Sequence, residues 1–171
     1  TTVGANSYVL DPIKYPNAQV LKQSYNLGRL RVTNLNGDEN GDGKFEQIYT
    51  VGTRSFSIWN ADTKSLVWDS GNDFEHITAK DPVFKNIFNA DNNLGTPVAK
   101  ARSRAKGPEP EGVVTASINN QLYAFVSLER VGGVMVYNIT NPNQPYFVHY
   151  NNSRIISNYA DAGPEGIIYI P

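Results

Sequence analysis

The chain has 171 residues, 40% hydrophobic and 18% charged, a globular balance with enough apolar content for a core. Fifteen basic and sixteen acidic side chains leave a net charge of −1, which speaks against nucleic acid or an anionic membrane surface as the main partner, since both call for a basic excess. Cysteine is absent, so disulfides, thiolate metal sites and cysteine nucleophiles are excluded, and no stretch reaches the roughly 18 apolar residues of a transmembrane helix.

The chain opens at Thr1 with neither an initiator Met nor a signal peptide, as expected of a processed form, a trimmed piece or an interior portion of something longer. A short helix is expected at Ala18–Tyr25, with Leu21 and Tyr25 four apart and Gly28 as its terminator. Strand-like runs follow at Leu30–Thr33, Phe45–Val51, Ser55–Trp59 and Leu66–Asp69. Asp81-Pro82 is a cap-and-first-turn pair, and Phe84, Ile87 and Phe88 share one helical face, so a helix is expected inside residues 74–106. Residues 89–106 read as loop, and Lys100, Arg102, Arg104 and Lys106 as a solvated basic run.

The clearest β pattern lies further on. Gly112–Ile118, Gln121–Glu129, Val134–Ile139 and Tyr146–Tyr150 are aromatic and β-branched runs, punctuated by Asn119-Asn120, Gly132-Gly133 and Asn141-Pro142-Asn143. Four antiparallel strands in about 40 residues make one propeller blade. Two echoes suggest a repeat. Ser55–Asn60 resembles Gly133–Asn138, and Gly107–Gly112 resembles Gly163–Gly166, each of the latter pair leading into a β run. The expected fold is therefore all-β dominated, a partial β-propeller. Residues 27–73 form a first blade, 74–106 a helical and loop insertion, 107–152 a second blade, and 163–171, with Ile167–Ile170, the first strand of a third. Propellers close with about 4–8 blades, so remaining blades of the same protein or associated chains are expected partners.

Within the first blade, Asp38-Glu39-Asn40-Gly41-Asp42-Gly43-Lys44-Phe45-Glu46 places oxygen ligands at the first, third and fifth positions and Gly at the sixth, the opening half of an EF-hand loop. Asp38, Asn40, Asp42, the Lys44 carbonyl and Glu46 are the expected Ca²⁺ ligands. Hard oxygen donors without His or Cys favour that ion. The alternative is an ion-free Asp/Asn/Gly turn.

A second cluster follows from the repeat. Glu109, Glu111 and Glu165 open inner-strand candidates, Glu129-Arg130 closes the next strand, and Arg54 holds the matching place in the first blade. At a propeller mouth these groups could bind metal or phosphate, do acid–base work, or pair into a structural ion network. His76 and His149 are too separate to suggest a ligand pair. There is no G-x-S-x-G, and Val131–Val134 lacks the Lys-Ser/Thr of a phosphate loop. Asn138-Ile139-Thr140 and Asn151-Asn152-Ser153 fit the N-glycosylation pattern, which has meaning for a eukaryotic source.

Leu27–Leu30 with Val32–Asn34, the Asp38–Glu46 loop, Arg54–Trp59, Lys106–Gly112, Leu128–Val134 and Gly163–Gly166, in that order, resemble the choice-of-anchor I family of large secreted bacterial proteins. The resemblance runs from about residue 5 to residue 171. It implies a WD40/YVTN-like propeller that is secreted, periplasmic or held at the cell surface. Some relatives carry an alkaline phosphatase-like description, which would make Glu109, Glu111, Glu129, Arg130 and Glu165 a metal and phosphate site. Two functions stay open: a calcium-stabilised scaffold that binds a surface ligand, or a metal-dependent phosphoesterase acting on a phosphate ester, with Arg130 or Arg54 neutralising developing charge.

Overall fold

The computed structural model describes residues 1–91, 97–155 and 163–171. It divides into two compact units, Thr1–Gly52 with Ser103–Lys106, and Thr53–Arg102 with Gly107–Pro171.

The first unit has little regular structure. Helix α1, Ala18–Leu21, is a single turn. Gly28 does not end it, because Lys22 is its C-cap. Gly28 instead permits close backbone packing, since a Cβ there would lie 2.2 Å from the Lys22 carbonyl oxygen. The expected strands Leu30–Thr33 and Phe45–Val51 do not form. They contribute isolated bridges, Arg31 to Thr2, Val32 to Thr50 and Phe45 to Leu10. Pairing partners so scattered along the chain leave no two segments long enough for a ladder. What holds the unit is a small core of Val3, Tyr8, Leu10, Val32 and Phe45, with Tyr8 and Phe45 stacked at 4.1 Å.

The second unit contains all the strands. Ser57–Trp59 (β1) and Leu66–Asp69 (β2) pair antiparallel as a two-stranded sheet. Pro110–Ile118 (β3), Gln121–Leu128 (β4), Val134–Asn138 (β5) and Tyr146–Asn151 (β6) form a four-stranded antiparallel sheet in sequential order, as the strand-like runs and their turn residues predict. Asn119 and Asn120, at φ 50° and 61°, close the β3–β4 hairpin, and Ile118 pairs with Gln121. Two left-handed residues match the right-handed twist of the flanking strands, and Asn tolerates that region better than other side chains. Ile167–Ile170 forms no strand; Ile168 and Ile170 are exposed, while Ile167 passes close to Gly112.

The core of this unit gathers Val126, Leu128, Met135, Tyr137 and Tyr150 from the sheet with Phe74, Phe84 and Ile87. Phe74 belongs to α2, Asp73–Lys80, a helix lying just ahead of the position expected for one. Asp73 and Glu75 in its first turn and Lys80 in its last suit the helix dipole. The anticipated Asp81–Phe88 helix is reduced to one 3₁₀ turn, Phe84–Ile87. Asp81 does start it, accepting the Val83 and Phe84 amides at 2.8 Å each. Phe56 and Trp68 bring the small sheet onto the same core, each meeting Tyr137 at 5.0 and 6.0 Å between ring centres.

Candidate functional sites

Residues 38–46 curl tightly because Asp38 gathers the amides of its own loop. Its Oδ1 accepts from Gly41 and Asp42 at 2.7 and 3.1 Å, and its Oδ2 from Gly43 at 2.9 Å. Gly41 and Gly43 have φ of +77° and +84°, the left-handed values the curl demands. Asp42 Oδ1 accepts the Lys44 amide, and the Lys44 ammonium sits 2.6 Å from Asp42 Oδ2. That pairing holds the Asp42 carboxyl below its ordinary range. The Glu46 side chain folds back to accept from the Glu39 amide and the Asn40 side-chain amide, both at 2.8 Å.

One carboxylate oxygen from each of Asp38, Asp42 and Glu46 therefore lies within 4.8 Å of the others. Among the described residues this is the group of three acidic or imidazole side chains close enough to share an ion. Asn40 stands at the same place but bridges the Asp42 amide and Glu46. The donor set fits calcium. It is all oxygen, and each carboxylate oxygen can accept an amide and still face a cation.

In the second unit the Glu/Arg residues meet in part. Glu109 adopts φ +53° and is 4% exposed. Arg102 holds it through Nε at 2.8 Å and through Nη2, and Arg130 Nε lies 3.3 Å away. Arg130 also pairs with Glu129 at 2.8 Å, and the Glu129 amide donates to the Glu109 carbonyl. Burial pushes the Glu129 carboxyl up to about 7, helped by hydrogen bonding to Glu111 and opposed by Arg130. Two carboxyl groups that share a hydrogen bond need one proton between them.

Arg54 pairs with Glu75 at 2.6 Å, against a face of Gly107 where a Cβ would stand 2.7 Å from its Nη1. Asn89 donates to the same Glu75 oxygen. Glu165 is exposed and makes no hydrogen bond or ion pair among the described residues. Thus Glu109, Glu111, Glu129 and Arg130 come together, while Glu165 stands outside. Arg102 was not foreseen. Read as part of a solvated basic run, it is half-buried and bound to Glu109, whereas Lys100, Arg104 and Lys106 are exposed as expected. The turn at Gly107 folds the chain back between Arg102 and Glu109, with the Gly107 amide bonded to the Arg102 carbonyl.

The family model described as Choice-of-anchor I domain matches residues 2–142. Among curated proteins, the chain is similar to Gigasin-3a of Magallana gigas, 31% identical over 117 residues, which cover 67% of this chain and 40% of that protein. It is also similar to the Mesenchyme-specific cell surface glycoprotein of Strongylocentrotus purpuratus, 24% identical over 143 residues, 77% of this chain and 18% of that protein. The matched regions thus span less than half of either relative. No solved structure matches.

Proposed function

The chain belongs to the choice-of-anchor I family, and on that premise we propose that it is a module of a larger secreted or surface-anchored protein, with calcium held at Asp38–Glu46. One relative is named as a cell surface glycoprotein, which supports the extracellular setting. The four-stranded sheet β3–β6 has the size of one propeller blade, which supports a propeller scaffold completed by further blades. Val113, Tyr146 and Val148 expose apolar surface that such neighbours would cover.

The observation that carries the calcium reading is the convergence of the Asp38, Asp42 and Glu46 carboxylates in a loop already curled by Gly41 and Gly43. Calcium there would replace the Lys44 ammonium on Asp42 and pin a loop that joins segments with little secondary structure. Its role is stabilising, because no helix pair flanks the loop to open on binding. The test is the double variant Asp38→Ala, Asp42→Ala. The parent is expected to gain thermal stability when calcium replaces chelator. The double variant is expected to lose that gain, and an undiminished response would overturn the assignment.

A second reading, a metal-dependent phosphoesterase centred on the Glu/Arg cluster, has one observation in its favour. Glu129 exchanges its proton near neutral pH beside a guanidinium, as an acid–base group must. The ion pairs that Arg102 and Arg130 already make with Glu109 favour a structural network instead. Turnover of a generic phosphomonoester by the full-length protein, lost with chelator and with Glu129→Gln, would establish the enzymatic reading; no turnover would remove it.

A further inference from the structure

The two N-glycosylation sequons occupy opposite environments. Asn138 lies in β5 and is 4% exposed. Its Nδ2 donates to Gln121 Oε1 at 2.8 Å, its Oδ1 accepts the Thr140 amide at 3.0 Å, and Thr140 Oγ1 in turn accepts the Leu122 amide. The nitrogen that a glycan would modify is thus committed to bridging strands β4 and β5. A sugar on it would break that bond and push a bulky polar group into a packed position.

Asn151 differs in each respect. It is the last residue of β6, the outer strand of the four-stranded sheet, and it is exposed. Its side chain makes no hydrogen bond among the described residues. The residue that completes its sequon, Ser153, is exposed too. The neighbouring Asn152 cannot be confused with it, because that side chain is tied to the Val131 carbonyl, the Tyr150 hydroxyl and the Arg154 amide.

We propose that Asn151 is an N-glycan acceptor of this chain in a eukaryotic secretory pathway, and that Asn138 in the folded protein is not. The co-reactant is an oligosaccharide carried on a lipid diphosphate, delivered by an oligosaccharyltransferase. Asn151 Nδ2 bonds to the anomeric carbon of the first sugar. The bond from that carbon to the diphosphate oxygen breaks, the lipid diphosphate leaves with the electron pair, and one Nδ2 proton passes to the transferase. No redox change occurs. The outer end of β6 then carries the sugar. The inference is independent of the calcium site.

The test expresses the chain behind a secretion signal in insect cells and maps glycopeptides in both the secreted and the retained pools. Enzymatic deglycosylation in heavy-oxygen water marks each occupied Asn as labelled Asp. A glycan on Asn151 is expected in both pools, and one on Asn138 only in retained, misfolded protein. Asn151→Gln and Ser153→Ala, which alters an exposed side chain that makes no hydrogen bond among the described residues, should both remove the glycan from the secreted chain. Unmodified Asn151 in both pools, or secreted protein bearing sugar on Asn138, overturns the proposal.

Discussion

Glu129 shows how a single half-buried carboxyl shapes pH behaviour. Its folded value of about 7 exceeds the ordinary 4.5, so between those two values the native chain keeps a proton that the unfolded chain has lost. Unfolding then releases a proton, and the contribution of this group to stability falls as pH rises through that window. Glutamine has the shape of the protonated acid and can still donate toward Glu111 and accept from Arg130. Thermal melts of Glu129→Gln should therefore lose less stability than the parent between pH 5 and pH 8. Parallel pH dependences for the two proteins would contradict the role given to Glu129. Arg102 is the residue most easily misjudged from sequence. Its cationic neighbours Lys100, Arg104 and Lys106 share its composition but not its environment, and only the fold-back at Gly107 brings it to Glu109.

At the scale of elements, α2 and the 3₁₀ turn close one face of the sheet. Phe74 is fully buried, stacks on Phe56 at 5.9 Å and meets Tyr137 edge-on at 6.0 Å. Tyr137 adds a hydroxyl bond to Asp73 at 3.2 Å, so ring packing and a polar tether fix the helix together. Phe74→Ala is expected to cost about 3–5 kcal/mol, as for large aromatic truncations in cores, in denaturant unfolding of the chain. A loss near the size of a surface substitution would mean that α2 is not part of the core. The strands β3–β6 were legible because each is an aromatic and β-branched run and each boundary carries Asn, Gly or Pro. Helix α2 was not, because Phe74, Ile77 and Ala79 among polar residues make a faint helical stripe that the stronger Asp-Pro signal beside it outshone. The runs at Leu30–Thr33 and Phe45–Val51 failed for another reason. Their apolar residues are real core residues, Val32 and Phe45 among them, but partners in sheet form are lacking.

At the scale of the whole molecule, two units with separate cores imply separate local stabilities. The first unit rests on five buried side chains and isolated bridges, and the second on a four-stranded sheet with ten core residues among those described. Calcium removal is therefore expected to raise amide hydrogen exchange in residues 30–52 while leaving β4 and β5 protected. Equal deprotection of both regions would show that the ion supports the entire chain rather than its own loop.

Sequence alone determined the β character of residues 110–151, the Asn119-Asn120 turn, the curled acidic loop and the family, because each is written in local spacing and residue type. Tertiary structure alone decided that the runs at Leu30–Thr33 and Phe45–Val51 become bridges, that Arg102 joins Glu109 while Glu165 stays exposed, and that Asn138 is sealed while Asn151 is free. The physical reason is the same in each case. Periodicity reports what a segment can do with its own neighbours in the chain, whereas pairing, burial and charge compensation depend on groups that only folding brings within reach.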